Sequence, residues 1–394
     1  MSSPSSGATP VSVQAPDRVE VFAKTRCILV KVGTRVLTNS DGRLDLRQIG
    51  TLSEQLCCLA AQGRQVILVS SGAVGAGLGI LGWAARPTGL AKLQAVAAMG
   101  QTRLIQAYDA AMQPHGYHAA QVLLTAEDLR NRQRYLNVRN ALAELHALRA
   151  IAIINENDSV AVEELMTTFG DNDRLAAAVS GLLHDALMII LSDVQGLMTG
   201  PPEDPGSELL SRVASLDQTV WSYVQSHTVG GMSKGGMASK LQAVSRATSF
   251  GHAALIASGR CPNILTRLTE GEPLGTLFMP AAEPLRGRRR WIGSSAKVAG
   301  CLHIDDGARI ALASGRSLLA IGVTACEGVF QRGDCVAVRD PVGKRVARGL
   351  SNYSNDEICK ILGLPSDQII RALGHRPYDE VLHRDNLVFD SEGL

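Results

Sequence analysis

Residues 66–77 read Val-Ile-Leu-Val-Ser-Ser-Gly-Ala-Val-Gly-Ala-Gly, an apolar run that turns straight into small residues. Four apolar side chains in a row, three of them β-branched, suit a strand buried inside a sheet. The Ser/Gly stretch that follows offers a hydroxyl and several backbone N–H groups. Such a loop fits a carboxylate or a phosphate, and taken alone it also fits an ordinary turn.

Working outward, the same grammar repeats. Cys27–Val32 is a second buried strand, ending at Lys31 and Gly33. Further strands are read at residues 121–124, 150–154, 186–191 and 253–257. Helical spacing of Leu and Ala marks 46–62, closed by Gly63, and also 88–112, 137–148, 173–183 and 240–251. Alternation of strand and helix predicts an α/β domain over residues 25–280: an open, mostly parallel sheet sandwiched by helices. Ligands of such sheets sit beyond the carboxyl ends of the strands. Four polar clusters fall there: Lys31, Ser71, Asn155–Asp158 and Ser192-Asp193. Four clusters on one edge of one sheet describe a site, where one could be chance.

The texture changes after Arg290. Short apolar segments around Ile304, 318–321, 336–338 and 346–350 alternate with Gly-Asp and Asp-Gly turns, which predicts a small β-rich domain at 291–385. The Arg/Gly/Pro stretch 281–290 reads as a linker, and its basic run Arg286–Arg290 as solvated charge or, less simply, a nucleic-acid contact. Residues 1–24 begin Ser/Pro/Ala-rich without an apolar core, and read as a disordered tail rather than a secretory signal.

Composition narrows the classes. Hydrophobic residues are 45% of the chain and aromatics 4%, so the core rests on Ala, Val, Leu and Ile. A net charge of +2 lacks the basic excess of a phosphate-backbone binder. Residues 285–394 hold 16 Lys/Arg against 13 Asp/Glu, which argues against strong RNA binding there. No apolar run reaches the ~20 residues of a membrane helix. The 8 cysteines form no CxxC pair and no zinc spacing, and suit free thiols in a reducing cytoplasm.

The charged loops suit phosphoryl transfer, which asks for positioning and charge neutralisation. Lys31 follows a strand and can reach a phosphate. Lys240 closes Gly235-Gly236-Met237-Ala238-Ser239-Lys240, a Gly pair before a helix, where phosphate is attracted. It is not a Walker A loop. A near-duplicate, Gly230-Gly231-Met232-Ser233-Lys234, makes Lys234 a rival. Asn155-Glu156-Asn157-Asp158 and Gly170-Asp171-Asn172-Asp173 could bind an ammonium group and orient lysines; a capped helix start is the plainer reading of the second. EF-hand spacing is absent, and no protein metal site is read. A carboxylate acceptor, with a pKa near ~4.3, is already ionised at neutral pH, so no general base is required.

These motifs, with Val30-Lys31-Val32-Gly33-Thr34 and Ser70-Ser71-Gly72-Ala73-Val74, resemble the amino-acid kinase family over residues 25–385, and within it the glutamate 5-kinases. The C-terminal part resembles a PUA domain, a module that commonly binds RNA, so an RNA-binding regulatory protein is the rival reading. The resemblance implies ATP and Mg²⁺, with L-glutamate phosphorylated on its side-chain carboxylate. It implies that Lys31 and Lys240 stabilise the transferring group and that Asp173 holds them. Ser71, Asp158 and Asn172 would bind glutamate. Lys31, Ser192, Asp193 and the loop Lys234, Gly235, Gly236, Met237, Ala238, Ser239, Lys240 would bind nucleotide. It further implies proline as a feedback inhibitor, a homo-oligomer (dimer or tetramer), and a monofunctional chain.

Overall fold

The computed structural model describes residues 16–39, 41–160, 172–225, 236–282, 284–285, 287–294 and 296–389. They fall into two compact units: one runs to Thr125 and resumes over Arg139–Pro284, the other holds Ala126–Val138 and the residues from Leu285 on.

The first unit is built on an eight-stranded sheet: β1 (Cys27–Val32), β2 (Gln65–Ser70), β3 (His118–Leu124), β4 (Ala150–Glu156), β5 (Ala186–Ser192), β6 (Arg212–Val213), β7 (Ala253–Ser258) and β8 (Thr276–Phe278). Their order is β3-β4-β2-β1-β5-β7-β8-β6. The six from β3 to β7 in that order are parallel; β8 runs against β7. The expected open, mostly parallel sheet is what forms. β1 and β5 are buried at every position, as central strands covered on both faces must be. Ile28, Val30 and Val32 share an apolar cluster with Leu52, Leu56 and Leu59 of the helix Leu46–Ala61. Side chains alternate along a strand, so Lys31 is delivered to the other face. Val32 is in register with Ser70 and Leu191, which brings the ends of β2, β1 and β5 to one edge.

Two helices pack backbone to backbone beside that edge. Helix Ala73–Leu81 leaves β2 through Gly72, whose φ of +109° strains any residue with a Cβ. Its neighbour, Leu90–Met112, approaches so closely that a Cβ on Gly100 would overlap the Ala73 carbonyl.

The 1–24 tail needs correction. Residues 1–15 lie outside the described residues, but Pro16–Lys24 is a helix. Phe22 is buried in the core, and the buried Arg18 donates to the carbonyls of Ser211, Glu272, Leu274 and Gly275 at 2.6–3.2 Å. Arg18 and Phe22 are four residues apart and so share a helix face, a signal masked by the polar sequence before them.

The second unit carries a five-stranded sheet of β9 (Val298–Ile304), β10 (Val323–Gly328), β11 (Cys335–Arg339), β12 (Arg345–Ser351) and β13 (Leu382–Phe389), in the order β10-β9-β11-β12-β13. The β-rich expectation holds, with two differences. Residues 318–321 make only a bridge, Leu318 to Leu382, and enter a 3₁₀ turn. Part of the expected linker is a helix, Gly287–Ser294, because its apolar Trp291 and Ile292 are buried. Two of its arginines are exposed, as solvated charge would be, and also contact β13: Arg289 donates to the Leu387 carbonyl at 3.1 Å, Arg288 to Asn386 at 3.3 Å. Residues 126–138 join this unit through Arg132, stacked 5.5 Å from the Trp291 ring.

Candidate active site

Three buried charges meet where β1 ends. Nζ of Lys31 lies 2.6 Å from Oδ1 of Asp173, and Nζ of Lys240 lies 3.7 Å from Oδ2. All three are at most 6% exposed. Among the described residues, neither Asp173 oxygen accepts a hydrogen bond of good geometry, so the two ammonium groups are its compensation. A buried carboxylate without partners is strongly disfavoured. Two cations and one anion leave a net positive charge facing the cavity.

Lys240 lies in the first turn of the helix Met237–Ser249, not ahead of it. A lysine at a helix N-terminus opposes the helix dipole; Asp173 makes that placement tenable. Gly236 is the N-cap, with extended backbone, and Met237, Ala238 and Ser239 complete the turn. Lys234 and Gly235 lie outside the described residues, as do Gly170 and Asp171.

Asn172 ties the edge together. Its amide nitrogen is 3.0 Å from the Ser70 carbonyl, from Oγ of Ser71 and from Oδ1 of Asn155, joining the ends of β2 and β4 to the start of the helix Asn172–Ser180. Ser70 in turn contacts the buried Tyr108 hydroxyl at 3.0 Å. Burial holds that phenol well above its usual range, so it stays protonated.

At the end of β5, Oγ of Ser192 donates to Asp193 at 2.9 Å, and Asp193 meets Arg35 at 2.7 Å. Burial pushes the Asp193 carboxyl up, but hydrogen bonds from Arg35 and Ser192 win and hold it below its ordinary value.

A cavity of about 470 Å³ joins these groups. Its lining includes Lys31, Ser71, Asp158, Asn172, Asp173, Ser192, Asp193 and Lys240, so one space collects these expected residues from six separate stretches of chain. Two further cationic lining residues escaped the sequence reading. Arg35 lies four residues past Lys31 and was legible in principle. Arg86 sits in an Arg-Pro turn between two helices, where no periodicity marks it.

Among the described residues no group of three His, Cys, Asp or Glu side chains could hold a metal ion, and no helix is long and apolar enough to cross a membrane.

A mostly parallel sheet with a buried Lys-Asp-Lys trio at its carboxyl edge suits a protein of the phosphoryl-transfer class. Residues 26–258 match the model of the amino acid kinase family, and residues 300–373 that of the PUA domain. The chain is 54% identical to the glutamate 5-kinase of Rhodopirellula baltica, over 94% of this chain and 95% of that one. It is 46% identical to the glutamate 5-kinase of Thioalkalivibrio sulfidiphilus, over 93% and 98%. Among solved structures, the carbamate kinase from Giardia lamblia bound to AMP-PNP aligns with a TM-score of 0.46 at 16% identity, covering 65% of this chain and 99% of that one. The chain belongs to the amino acid kinase family, on its glutamate 5-kinase branch.

Proposed function

We propose that this chain transfers the terminal phosphoryl group of ATP to the γ-carboxylate of L-glutamate, giving γ-glutamyl phosphate and ADP, the first step toward proline. The observation that carries this reading is the buried Lys31–Asp173–Lys240 trio beside the amide and carboxylate cluster of Ser71, Asn155, Asp158 and Asn172.

In this reading one γ-carboxylate oxygen attacks the γ-phosphorus, and the bond from phosphorus to the β–γ bridging oxygen breaks. No proton has to be removed, because a carboxylate of pKa about 4.3 is ionised at neutral pH. The work left to the protein is to align two anions and offset their repulsion. Lys31 and Lys240 supply the positive charge, and Asp173 fixes their separation. Ser71, Asp158 and Asn172 hold glutamate. Ser192, Asp193 and the turn 236–240 hold the nucleotide, with Lys234 and Gly235 as further contacts. Mg²⁺ arrives as the counter-ion of the ATP phosphates and is part of that substrate.

The chemistry is assigned to the unit built on the eight-stranded sheet. Proline, with its own ammonium and carboxylate, competes for the glutamate cluster. The enzyme works in the reducing cytoplasm as a homo-oligomer, a dimer or tetramer. Eight free thiols support that compartment.

The test is ADP release with L-glutamate, N-acetylglutamate, aspartate and UMP in parallel. Turnover with glutamate alone supports the assignment. Preference for another acceptor overturns the substrate, and silence with all four shifts weight to a binding role for the PUA unit.

A further inference from the structure

The cavity holds a second set of charges that the phosphoryl chemistry does not use. Arg86 lines it together with Asp158, Ser71 and Asn172. Arg86 is exposed, on the irregular turn between the helices Ala73–Leu81 and Leu90–Met112. Desolvation lowers the affinity of its guanidinium for the proton, and the negative charge of Asp158 works against that shift. Both groups line the same cavity, with opposite charges.

Free glutamate carries three charges. Its γ-carboxylate has to lie against the incoming phosphoryl group. Its ammonium needs an anion and its α-carboxylate needs a cation, since neither is desolvated cheaply without a partner. Among the described lining residues the cations are Lys31, Lys240, Arg35 and Arg86. Lys31 and Lys240 flank Asp173 at the phosphoryl end, and Arg35 holds Asp193. Arg86 is the cation that stands with Asp158. A planar guanidinium matches a carboxylate with two parallel hydrogen bonds, which a lysine does not reproduce.

Resting on glutamate as the acceptor, we infer that Arg86 binds its α-carboxylate while Asp158 takes its ammonium, so that Arg86 sets the preference for an α-amino acid over a simple ω-amino acid. The contact is made in ground state and transition state alike, and so acts on KM rather than kcat.

The experiment compares wild type, Arg86→Ala and Arg86→Lys with two ligands. L-Glutamate is the substrate. 4-Aminobutyrate, added as a competing ligand, keeps the amine and the reacting carboxylate but lacks the α-carboxylate; its Ki is read from its competition with L-glutamate, whether or not it is itself phosphorylated. Arg86→Ala should raise KM for glutamate about 10-fold or more, with kcat and the Ki of 4-aminobutyrate each within about threefold, the size of one lost charge-assisted contact. Arg86→Lys should recover part of the loss. An unchanged KM overturns the inference. So does equal weakening of both ligands, which would mark a merely structural role. A wild-type enzyme that ignores glutamate overturns the acceptor assignment itself, a different result from a working enzyme indifferent to Arg86.

Discussion

Lys31 Nζ and Asp173 Oδ1 stand 2.6 Å apart, both buried, at the junction of β1 with the helix Asn172–Ser180. Lys240 reaches the other oxygen of the same carboxylate at 3.7 Å. One anion between two cations sets both their spacing and their net charge. Asp173→Asn keeps the shape and removes the charge. The lysines then repel each other, and kcat should fall about 100-fold or more while KM for glutamate changes little, because the interaction lost is one realised in the transition state. Steady-state kinetics with a circular dichroism control checks this; a kcat within threefold of wild type contradicts it.

Gly100 lies under the turn that presents Ser71. A Cβ there would overlap the Ala73 carbonyl oxygen and crowd the Gly77 nitrogen, both backbone atoms that cannot swing aside. Gly100→Ala should destabilise the chain by about 1–3 kcal/mol and raise KM for glutamate, since the Gly72 turn moves with the helix. Urea unfolding and kinetics on the same variant test both effects.

Arg18 satisfies four backbone carbonyls from inside the fold. Arg18→Met fills similar volume but removes that donor, although the Ser211 and Glu272 carbonyls keep the N–H groups of Leu277 and Leu274. A loss of about 2–4 kcal/mol is expected, read as a lower urea midpoint. No change in midpoint would show that the helix Pro16–Lys24 contributes nothing to stability.

Glu357 closes a capping box with Ser354 and bonds Nε2 of His375 at 2.8 Å. Burial raises its carboxyl, but the Ser354 backbone N–H and His375 outweigh burial and hold it below its ordinary value. A depressed carboxyl stabilises the fold at pH above its unfolded pKa of about 4.3, and that contribution is lost as pH falls through the folded value. Glu357→Gln should therefore cost stability at pH 7 and progressively less below about pH 4. Denaturation curves of both proteins over that range give the answer; a constant difference contradicts it.

Much of this was legible in the sequence because strand and helix periods are local. β1, β2 and β5 are short apolar runs, and their polar endings fell on one edge because parallel strands in register leave no other choice. The strength of the Asn172 node was not legible, since its partners Ser71 and Asn155 come from two other strands. Arg86 was missed for a related reason: an arginine in a Pro-containing turn looks like solvent-facing charge until the cavity is seen. The helix Pro16–Lys24 was hidden by averaging over the polar residues before it. β13 was missed because its side chains alternate irregularly between buried and exposed.

The most direct test of the central claim is to trap the product with hydroxylamine, which converts an acyl phosphate to a hydroxamate. Wild-type enzyme with MgATP and L-glutamate should give γ-glutamyl hydroxamate in step with ADP, and Lys240→Ala should give neither. ADP without hydroxamate, or hydroxamate on the α-carboxyl, would contradict transfer to the γ-carboxylate.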